Sequence, residues 1–537
     1  MNTSLFAARP ESNFGGTSSG ESLKSSPKKR GTRGSSSLRG ILLPVLVGIA
    51  LSSPAADWPN FRGPNHDGVS TEKIRTNWEQ DPPRVVWRVS LDPGLGSLAI
   101  QGGRVFTLVR RSVGGQDREF CVALDAATGN ELWAYNIGTA SYPEGGVGDD
   151  DGPRSTPTVQ GNRVFVLSSY LRLSCLDAAT GSQIWEHDLP SEYQASVIAW
   201  QNSASPLVEN NRVLVNGNGR SGEHFLAFNT SDGSLAWKVG SDRMTHATPA
   251  AVTIGGIRQV IFLAQTGLVS INSTNGTVLW RYPVGYNGTS SASSPVVGSN
   301  FVFTSRAYPS QAGAVVVRVA NGSAAASLQW SKPNQLMNHW STPVQVNGYL
   351  FGMFGQDSLS FRCVELATGR ETWPSPVNGF GYGSTIAVDG RVLASSADGL
   401  LALVDPNPNS YSEVARFQAL DGKTWNMPAI SDGRIYFRST TEAVSLDVSP
   451  PRPPKLFFSF DRASGKFRLR IRNDDGSSLS ATRAGQIEIL ATTQFPPGTN
   501  SWSRVSSGIS YANGELILEE TRSPAQPQRF YRAQAQP

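Results

Sequence analysis

A nine-residue segment that recurs in register is the feature of this chain that most restricts its fold. The segment Asp125-Ala-Ala-Thr-Gly-Asn-Glu-Leu-Trp133 is followed 52 residues later by Asp177-Ala-Ala-Thr-Gly-Ser-Gln-Ile-Trp185. More divergent copies end at Trp237, Trp280 and Trp373. A repeat of roughly 40–50 residues is typical of one supersecondary unit that is copied many times. The chain is therefore predicted to fold as a repeat protein.

The unit has the size of one blade of a β-propeller. Residues 155–188 contain four short strand-like runs separated by Gly, Asn and Asp, which is typical of a four-stranded antiparallel sheet. In the turn of the nonapeptide, Asp can accept a hydrogen bond from the backbone two residues on, and Gly takes the positive φ that closes the turn. The Trp four residues later falls on the outermost strand. We expect it to fill the wedge between neighbouring blades.

The outer-strand aromatic residues give the number of blades. They are Trp87, Trp133, Trp185, Trp237, Trp280, Trp330, Trp373 and, in degraded form, Phe417. The strand around Trp87 has no inner strands before it, and three strands after Trp425 have no outer strand after them. Pairing these pieces completes one blade and removes the open edges. The predicted fold is all-β, with an eight-bladed β-propeller of four-stranded antiparallel blades over residues 57–449 and a ring closed by the N-terminal strand.

Residues 1–56 have the pattern of a leader. A basic stretch rich in Ser and Gly precedes the apolar run Ile41–Leu51 and the small residues Ser53–Ala56. A transmembrane helix needs roughly 20 apolar residues, so this run is too short to span a bilayer. The pattern predicts a secretory signal peptide cleaved near Ala56, a periplasmic or secreted protein, and no transmembrane segment in the mature chain. An uncleaved membrane anchor is the alternative.

The charge of the mature chain does not favour a nucleic-acid partner. The sequence has a formal net charge of +5 at pH 7. Residues 1–56 hold seven basic and two acidic residues, which leaves 40 of each sign in the remainder. No basic stripe is present, and no nucleic-acid ligand is expected.

A second, smaller module follows the propeller. The Pro-rich stretch 450–455 predicts a stiff linker. Residues 456–537 contain several strand-like runs, and Phe467-Arg-Leu-Arg-Ile-Arg alternates with period two, as a half-buried strand does. These runs predict a small β-sandwich module.

The repeats resemble those of the quinoprotein (PQQ) dehydrogenase propeller superfamily. The entry segment Asp57-Trp-Pro-Asn-Phe-Arg-Gly-Pro-Asn65 and the segments 152–157, 337–343 and 349–352 are similar to exported PQQ-like propeller proteins of planctomycete- and verrucomicrobia-type bacteria. The C-terminal module looks like small β-modules that end other secreted proteins of such bacteria. The superfamily also contains the propeller lipoprotein of the outer-membrane barrel-assembly machinery, which binds proteins and has no cofactor.

A dehydrogenase of this superfamily implies further features that this chain lacks. The resemblance implies a quinone on the ring axis, a Ca²⁺ held by Glu, Asn and Asp, a general-base Asp and usually two adjacent cysteines. The three cysteines, Cys121, Cys175 and Cys363, are not adjacent, and no Cys-x-x-Cys-His haem motif is present. No cofactor and no metal site are therefore expected. The loop Asp149–Asp151 offers oxygen ligands for Ca²⁺, but a solvated acidic loop is the simpler interpretation.

Candidate ligand-binding residues precede the innermost strands, at the mouth of the predicted ring. They are Arg154, Trp200, His246, His339, Trp340, Tyr382, Trp425 and Asn426. Residues at this position of a propeller commonly surround a ligand. An Arg, two His and several aromatic side chains suit an anionic or planar ligand. The alternative is that they cap the channel and bond to local backbone.

Two functions remain open from the sequence. The first is an exported binding or scaffold propeller without catalytic activity, which takes a protein, peptide or carbohydrate at one face of the ring. The second is a PQQ- or metal-dependent oxidoreductase of alcohol or sugar dehydrogenase type, with PQQ and Ca²⁺ as cofactors. The missing redox motifs favour the first.

Overall fold

The computed structural model describes residues 57–142, 151–284, 291–307, 313–319, 325–450, 454–521 and 529–535, apart from residues 462, 474, 475, 477, 480 and 495–500. The predicted leader with its cleavage point near Ala56, and the residues Asp149 and Asp150, lie outside this part of the chain.

Eight antiparallel sheets follow one another within the described part of residues 57–449, which agrees with the predicted eight-bladed propeller. In each sheet the first strand is innermost, and it contacts the first strands of neighbouring sheets. Blade 1 consists of Ala99–Gln101, Arg104–Val113, Gln116–Asp125 and Glu131–Thr139, and blade 2 of Thr158–Gln160, Arg163–Leu167, Arg172–Asp177 and Gln183–Asp188. Blade 3 consists of Leu207–Glu209, Arg212–Asn216, Phe225–Asn229 and Leu235–Val239, and blade 4 of Ala250–Ile254, Ile257–Ala264, Gly267–Asn272 and Val278–Pro283.

Blades 5 to 8 have the same order, and the ring closes in blade 8. There Arg84–Ser90 pairs with Glu442–Asp447, so the N-terminal strand completes the C-terminal blade as predicted. Blade 5 consists of Val296–Gly298, Phe301–Arg306, Gly313–Val319 and Ala326–Pro333, and blade 6 of Val344–Val346, Tyr349–Phe354, Ser360–Glu365 and Arg370–Glu371. Blade 7 consists of Thr385–Val388, Arg391–Ser395, Leu400–Val404 and Glu413–Gln418, and blade 8 of Ala429–Ser431, Arg434–Arg438, Glu442–Asp447 and Arg84–Ser90.

The tryptophan of one blade packs on the turn glycine of the next blade. A Cβ atom added at the turn glycine would lie 2.6–3.0 Å from that indole in five such pairs. Each of these indoles also donates a hydrogen bond to a carbonyl of the same turn, as Trp133 Nε1 does to Ala178 O at 3.2 Å. The five pairs are Trp87 with Gly129, Trp133 with Gly181, Trp185 with Gly233, Trp237 with Gly276 and Trp330 with Gly369. The turn glycines are thus required by close approach as well as by positive φ.

Blade 7 departs from this pattern: Phe417 lies on its outer strand, as predicted, and packs against an apolar cluster, but it is not at the position that carries tryptophan in other blades. In blades 1 to 4 the tryptophan faces the residue two positions before the turn Asp or Asn, as Trp133 faces Ala123. In blade 7 that residue is Leu403, and its partner is Ala415. No tryptophan is needed there, because blade 8 joins its two outer strands from opposite ends of the chain and has no turn at that place. Trp78 is buried in the same apolar cluster as Ala415.

The entry segment crosses the centre of the ring. Trp58 pairs with Ile100 of blade 1, and the Pro59 carbonyl accepts a hydrogen bond from Val159 N of blade 2 at 2.7 Å. Arg62 is buried and donates to the Thr342 and Pro343 carbonyls of blade 6. The short strand Val69–Ser70 then runs parallel to Thr385–Val388 of blade 7. The segment therefore covers inner strand edges that would otherwise be open at the axis.

The C-terminal module consists of two antiparallel sheets with a common apolar core, which agrees with the predicted β-sandwich. Its first strand begins at Pro454, inside the predicted linker 450–455, and proline is tolerated at the first residue of an edge strand. The strands are Pro454–Asp461, Lys466–Asn473, Ile487–Thr492, Ser503–Arg504, Ile509–Ala512, Glu515–Thr521 and Phe530–Ala535.

The two helices of the described chain are Leu189–Tyr193 and Ala481–Gly485. Neither of them, nor any other described segment, forms a helix long and apolar enough to cross a bilayer.

Two glycine substitutions measure the contact between blades. Gly181 and Gly161 have φ of +72° and +61°, so alanine is strained at both positions, by about 1 kcal/mol. A Cβ at Gly161 meets nothing within 4 Å, whereas at Gly181 it overlaps the Trp133 ring. We expect Gly181→Ala to lower the free energy of unfolding by about 1–3 kcal/mol more than Gly161→Ala, because the indole must move.

Chemical denaturation of both variants measures this difference, and Trp133→Ala provides the control. The excess cost of Gly181→Ala should largely disappear in the Trp133→Ala background. Equal losses in the two glycine variants of the otherwise unchanged protein would contradict the proposed contact.

Candidate binding site at the mouth of the ring

A belt of Ser and Thr hydroxyl groups joins the blades at one end of the channel. Two residues before the innermost strand, a hydroxyl accepts a hydrogen bond from a backbone N–H of an adjacent blade. Examples are Thr156 Oγ1 with Ser97 N at 3.0 Å and Ser205 Oγ with Thr156 N at 2.8 Å. Ser97 Oγ accepts a hydrogen bond from Met427 N, so the belt also joins blade 8 to blade 1. The belt fixes the backbone from which the candidate residues project.

The eight candidate residues surround one cavity of about 600 Å³. This volume lies within the range of about 300–1,000 Å³ that is usual for small-molecule sites. Phe61 of the entry segment also lines the cavity, and no sequence pattern predicts this contact. The cavity is therefore bounded on the axial side by the same segment that covers the inner strand edges. That the eight residues bind a ligand stays a prediction.

Three aromatic rings from blades 6, 7 and 8 form a continuous wall of this cavity. The ring centroid of Trp340 lies 4.6 Å from that of Tyr382 and 4.8 Å from that of Trp425. Tyr382 and Trp425 are 5.1 Å apart, which completes a triangle of mutual contacts. His339 lies 3.8 Å from Trp340. We call Trp340, Tyr382 and Trp425 the aromatic wall.

Arg154 and His246 use their polar atoms to hold the turn around Trp200. Arg154 donates to the Trp200 carbonyl at 2.9 Å, and His246 Nε2 lies 3.0 Å from the Ala199 carbonyl. Arg154 also forms an ion pair with Asp151 at 2.8 Å. The sequence prediction treated both side chains as ligand contacts. The structure gives them a positioning role in addition.

Trp200 is held at the rim in a strained conformation. Its φ is +68° and that of Gln201 is +54°, two consecutive left-handed residues that are not glycine. Such backbone is costly for a bulky side chain and persists only where its surroundings impose it. The indole is nevertheless 42% exposed. The strained backbone at Trp200 therefore holds an aromatic ring exposed to solvent beside the cavity.

Several buried polar atoms of the cavity lining have no hydrogen-bond partner. They include both polar atoms of the Asn426 amide, the indole N–H of Trp340 and the Ser341 hydroxyl. Asn426 is only 4% exposed. Buried polar atoms are rarely left unbonded. These atoms are not reached by solvent, so they do not form part of the cavity surface.

The donor set of the cavity does not fit a Ca²⁺ site. Among the described residues that line it there is no carboxylate. The nearby Asp151 binds Arg154 and accepts from Gly152 N at 2.7 Å. No group of three or more His, Cys, Asp or Glu residues suited to a metal is found in the described ranges. Ca²⁺ prefers six to eight oxygen ligands, mostly carboxylates and carbonyls. The chemistry of a quinone held over calcium has no support in these residues.

His339 is neutral at physiological pH. Burial among aromatic rings lowers its pKa from the usual 6.5 to about 4, and Asp357 offsets only part of this effect. The site thus presents an uncharged imidazole over the pH range in which an exposed histidine would titrate.

The comparisons with known proteins agree with the repeat structure. A family model described as outer membrane protein assembly factor BamB matches residues 117–352. BamB of Moranella endobia is 24% identical over 297 residues, which cover 52% of this chain and 67% of that protein. BamB of Shewanella oneidensis is 25% identical over 367 residues, covering 65% of this chain and 82% of that protein. These similarities are consistent with a PQQ-like propeller.

The fold of this chain is also shared with a solved enzyme. The quinohemoprotein alcohol dehydrogenase of Comamonas testosteroni has a TM-score of 0.52 and 12% identity, and it covers 76% of this chain and 84% of the dehydrogenase. At this identity the likeness extends to the fold alone, since one fold hosts many functions.

The state of His339 can be tested by NMR. We expect its imidazole signal, assigned by its loss in His339→Gln, to stay constant between about pH 5.5 and 8, because the folded pKa is about 4. The unfolded chain takes up a proton near pH 6.5, so the contribution of His339 to stability is present above that pH and is lost as pH falls toward 4. His339→Gln should therefore reduce the loss of stability in this window. A midpoint near 6.5 for His339 in the folded protein would contradict this description.

Proposed function

We propose that this protein is an exported binding or scaffold propeller without catalytic activity, and that it takes its ligand or partner at the mouth of the ring. The observation that carries the proposal is the composition of the mouth cavity. It combines an aromatic wall with the partly exposed indole of Trp200, and its described lining has no carboxylate.

Two further observations support binding over redox catalysis. The dehydrogenases that the repeats resemble use an Asp as general base and a Ca²⁺ held partly by carboxylates, and the described lining offers no carboxylate for either role. The three cysteines are buried and separate, so none forms a disulfide at the cavity. The relatives named as outer membrane protein assembly factors suggest that a protein partner elsewhere on the ring is compatible with the same scaffold.

Export is proposed from two sources. The sequence of residues 1–56 has the pattern of a signal peptide. The relatives carry names that refer to the outer membrane. Mass determination of the N-terminus of protein recovered from the periplasm or the medium would establish cleavage near Ala56.

The proposal predicts binding at the mouth and no quinone-dependent turnover. Purified protein with added PQQ and CaCl₂ should not reduce a redox dye in the presence of ethanol or glucose above the rate without PQQ. On arrays of saccharides and peptides, the wild type should retain at least one ligand that the double variant Trp340→Ala/Tyr382→Ala does not retain.

Leu132→Ala is the matched control, because Leu132 lies 46% exposed on the outer strand of blade 1, away from the cavity. It should bind as the wild type does. Thermal melts of all variants separate loss of binding from loss of folding. PQQ-dependent dye reduction, or binding that the mouth variant leaves intact, would overturn the proposal.

A further inference from the structure

We propose that the C-terminal module pairs with the C-terminal module of a second copy of this chain, through antiparallel alignment of the two Pro454–Asp461 strands. We call Pro454–Asp461 the edge strand. The inference concerns a different surface from the mouth cavity and does not depend on the proposed function. It is carried by the juxtaposition of an unpaired strand edge, two exposed phenylalanines and a charge pattern that is complementary to itself.

The edge strand has one side open. Among the described strands of its sheet it is the first in order and lies beside Lys466–Asn473 alone. All 8 of its residues pair with that neighbour, and the register does not shift along the pair. The backbone groups of its other side therefore have no strand to bond. A long, regular strand edge of this kind is a template for pairing with another chain.

The outer strands of the propeller are protected against such pairing. In blades 1 to 5, 7 and 8 the outer strand has a shift of register of the kind that a β-bulge produces. In blade 6 the outer strand is only the 2 residues Arg370–Glu371. Bulges and very short strands prevent open edges from pairing with other chains. The edge strand of the module has neither feature.

Two phenylalanines of the edge strand are exposed on the face that carries the core of the module. Phe458 lies opposite Leu469, which is buried in that core. Leu456 and Phe460 share the same face, two residues before and after Phe458. Leu456 packs against the core, but Phe458 is 73% exposed and Phe460 is 50% exposed. The apolar face of the strand therefore extends beyond the core of one module.

An antiparallel pair of edge strands centred on Phe458 brings complementary residues together. In this register Phe458 faces its own copy, and Leu456 faces Phe460 of the second copy. The exposed apolar side chains then form one continuous row on one face of the joined sheets. At each end, Lys455 of one copy faces Asp461 of the other. Aromatic pairs and opposite charges directly across two strands are both favourable.

Lys455 lacks an acidic neighbour across its own sheet. It lies opposite Arg472, a residue of the same charge, and Arg472 forms an ion pair with Glu515. The Lys455 ammonium group lies 5.4 Å from the centroid of the Phe457 ring. Like charges directly opposite in a strand pair are destabilising. A carboxylate on the open side of the strand would offset this repulsion.

Asp461 can supply that carboxylate. Its side chain accepts hydrogen bonds from Ala463 N at 2.9 Å and from Ser464 Oγ at 2.5 Å, within the turn that follows the strand. Lys466 lies opposite it on the neighbouring strand. A carboxylate has about four acceptor sites, so Asp461 retains capacity for an ammonium group from the second copy.

The pairing is closed and of moderate strength. Because each edge strand has one open side, two copies occupy each other's edge and a third copy finds none there. Phe458 and Phe460 together expose about 250 Å² per copy. A stable interface buries about 800 Å² per partner. We therefore expect a dimer that dissociates at roughly micromolar concentration.

Sedimentation of the purified protein between about 1 and 200 µM measures this equilibrium. We expect a reversible shift from monomer to dimer. Phe458→Asp should keep the protein monomeric, because two carboxylates would face each other at the centre of the pair. Ile509→Asp is the matched control, since Ile509 is 38% exposed on the opposite edge strand of the same sheet. It should dimerise as the wild type does. Thermal melts check that each variant is folded.

Charge reversal separates loss of pairing from loss of folding. Lys455→Asp and Asp461→Lys should each weaken self-association roughly tenfold or more, because each places like charges opposite each other at both ends of the pair. An equimolar mixture of the two variants should dimerise again, since each then supplies the charge that the other has lost. A folding defect would not be restored by mixing.

Cysteine substitution tests the register. Residues directly opposite in an antiparallel pair have Cα atoms about 4.5–5.5 Å apart, within the range that a disulfide spans. Phe458→Cys should therefore give a covalent dimer under mild oxidation. Ser459→Cys is the matched control, because residue 459 faces Phe457 of the second copy rather than itself. The three native cysteines are buried and should not cross-link.

The outcomes that contradict the proposal are distinct from those that test the mouth, because no residue of the cavity is changed. A protein that stays monomeric at about 200 µM, or a dimer that Phe458→Asp leaves intact, would overturn the proposed pairing. Equal cross-linking of Phe458→Cys and Ser459→Cys would overturn the register. Growth beyond the dimer that requires Phe458 would show that the pairing is not closed.

Discussion

The contact on which the ring depends is that of a tryptophan with the turn glycine of the next blade. An indole such as Trp133 both lies against Gly181 and donates to the carbonyl of Ala178, so one residue fixes the distance and the orientation of two sheets. Because each blade of a propeller widens away from the axis, this outer position is where the gap is largest and where a large side chain fits. The same contact repeated around the ring lets eight small sheets, none stable alone, form one body.

Because the outer contacts hold the blades together, the residue types at the inner ends of the blades can differ from one blade to the next. The outer contact and the hydroxyl belt together determine where each innermost strand begins, as Thr156 and Ser205 show through their bonds to neighbouring blades. The one to three residues before the belt are not part of the repeated contacts between blades. His339, Trp340 and Asn426 occupy such positions, which is why their side chains can be specialised for a ligand without loss of the ring.

Features that are periodic or local could be predicted from the sequence, whereas features that depend on contacts between distant residues could not. The blade number, the closing strand and the gathering of Arg154 and His246 near the mouth followed from the spacing of the nonapeptide and of the Ser/Thr-Pro steps. In blade 7 Ala415 occupies the position that carries tryptophan in other blades, and this could not be counted from the sequence, because Asp405-Pro-Asn-Pro-Asn replaces the nonapeptide turn there. The path of the entry segment was not predictable either, since Arg62 meets Thr342 across 280 residues.

The entry segment forms one side of the mouth cavity. It occupies the inner strand edges of blades 1, 2 and 7 and places Phe61 at the cavity, so a ligand held by the aromatic wall has protein behind it. Trp200 stands at the opposite, exposed side, where its strained turn is tied down by Arg154 and His246. Strain of this kind is retained only where something outweighs its cost. Arg154 and His246 both bond to one turn, and this turn exposes an indole to water. The arrangement is accounted for if the indole closes over a ligand that the aromatic wall receives.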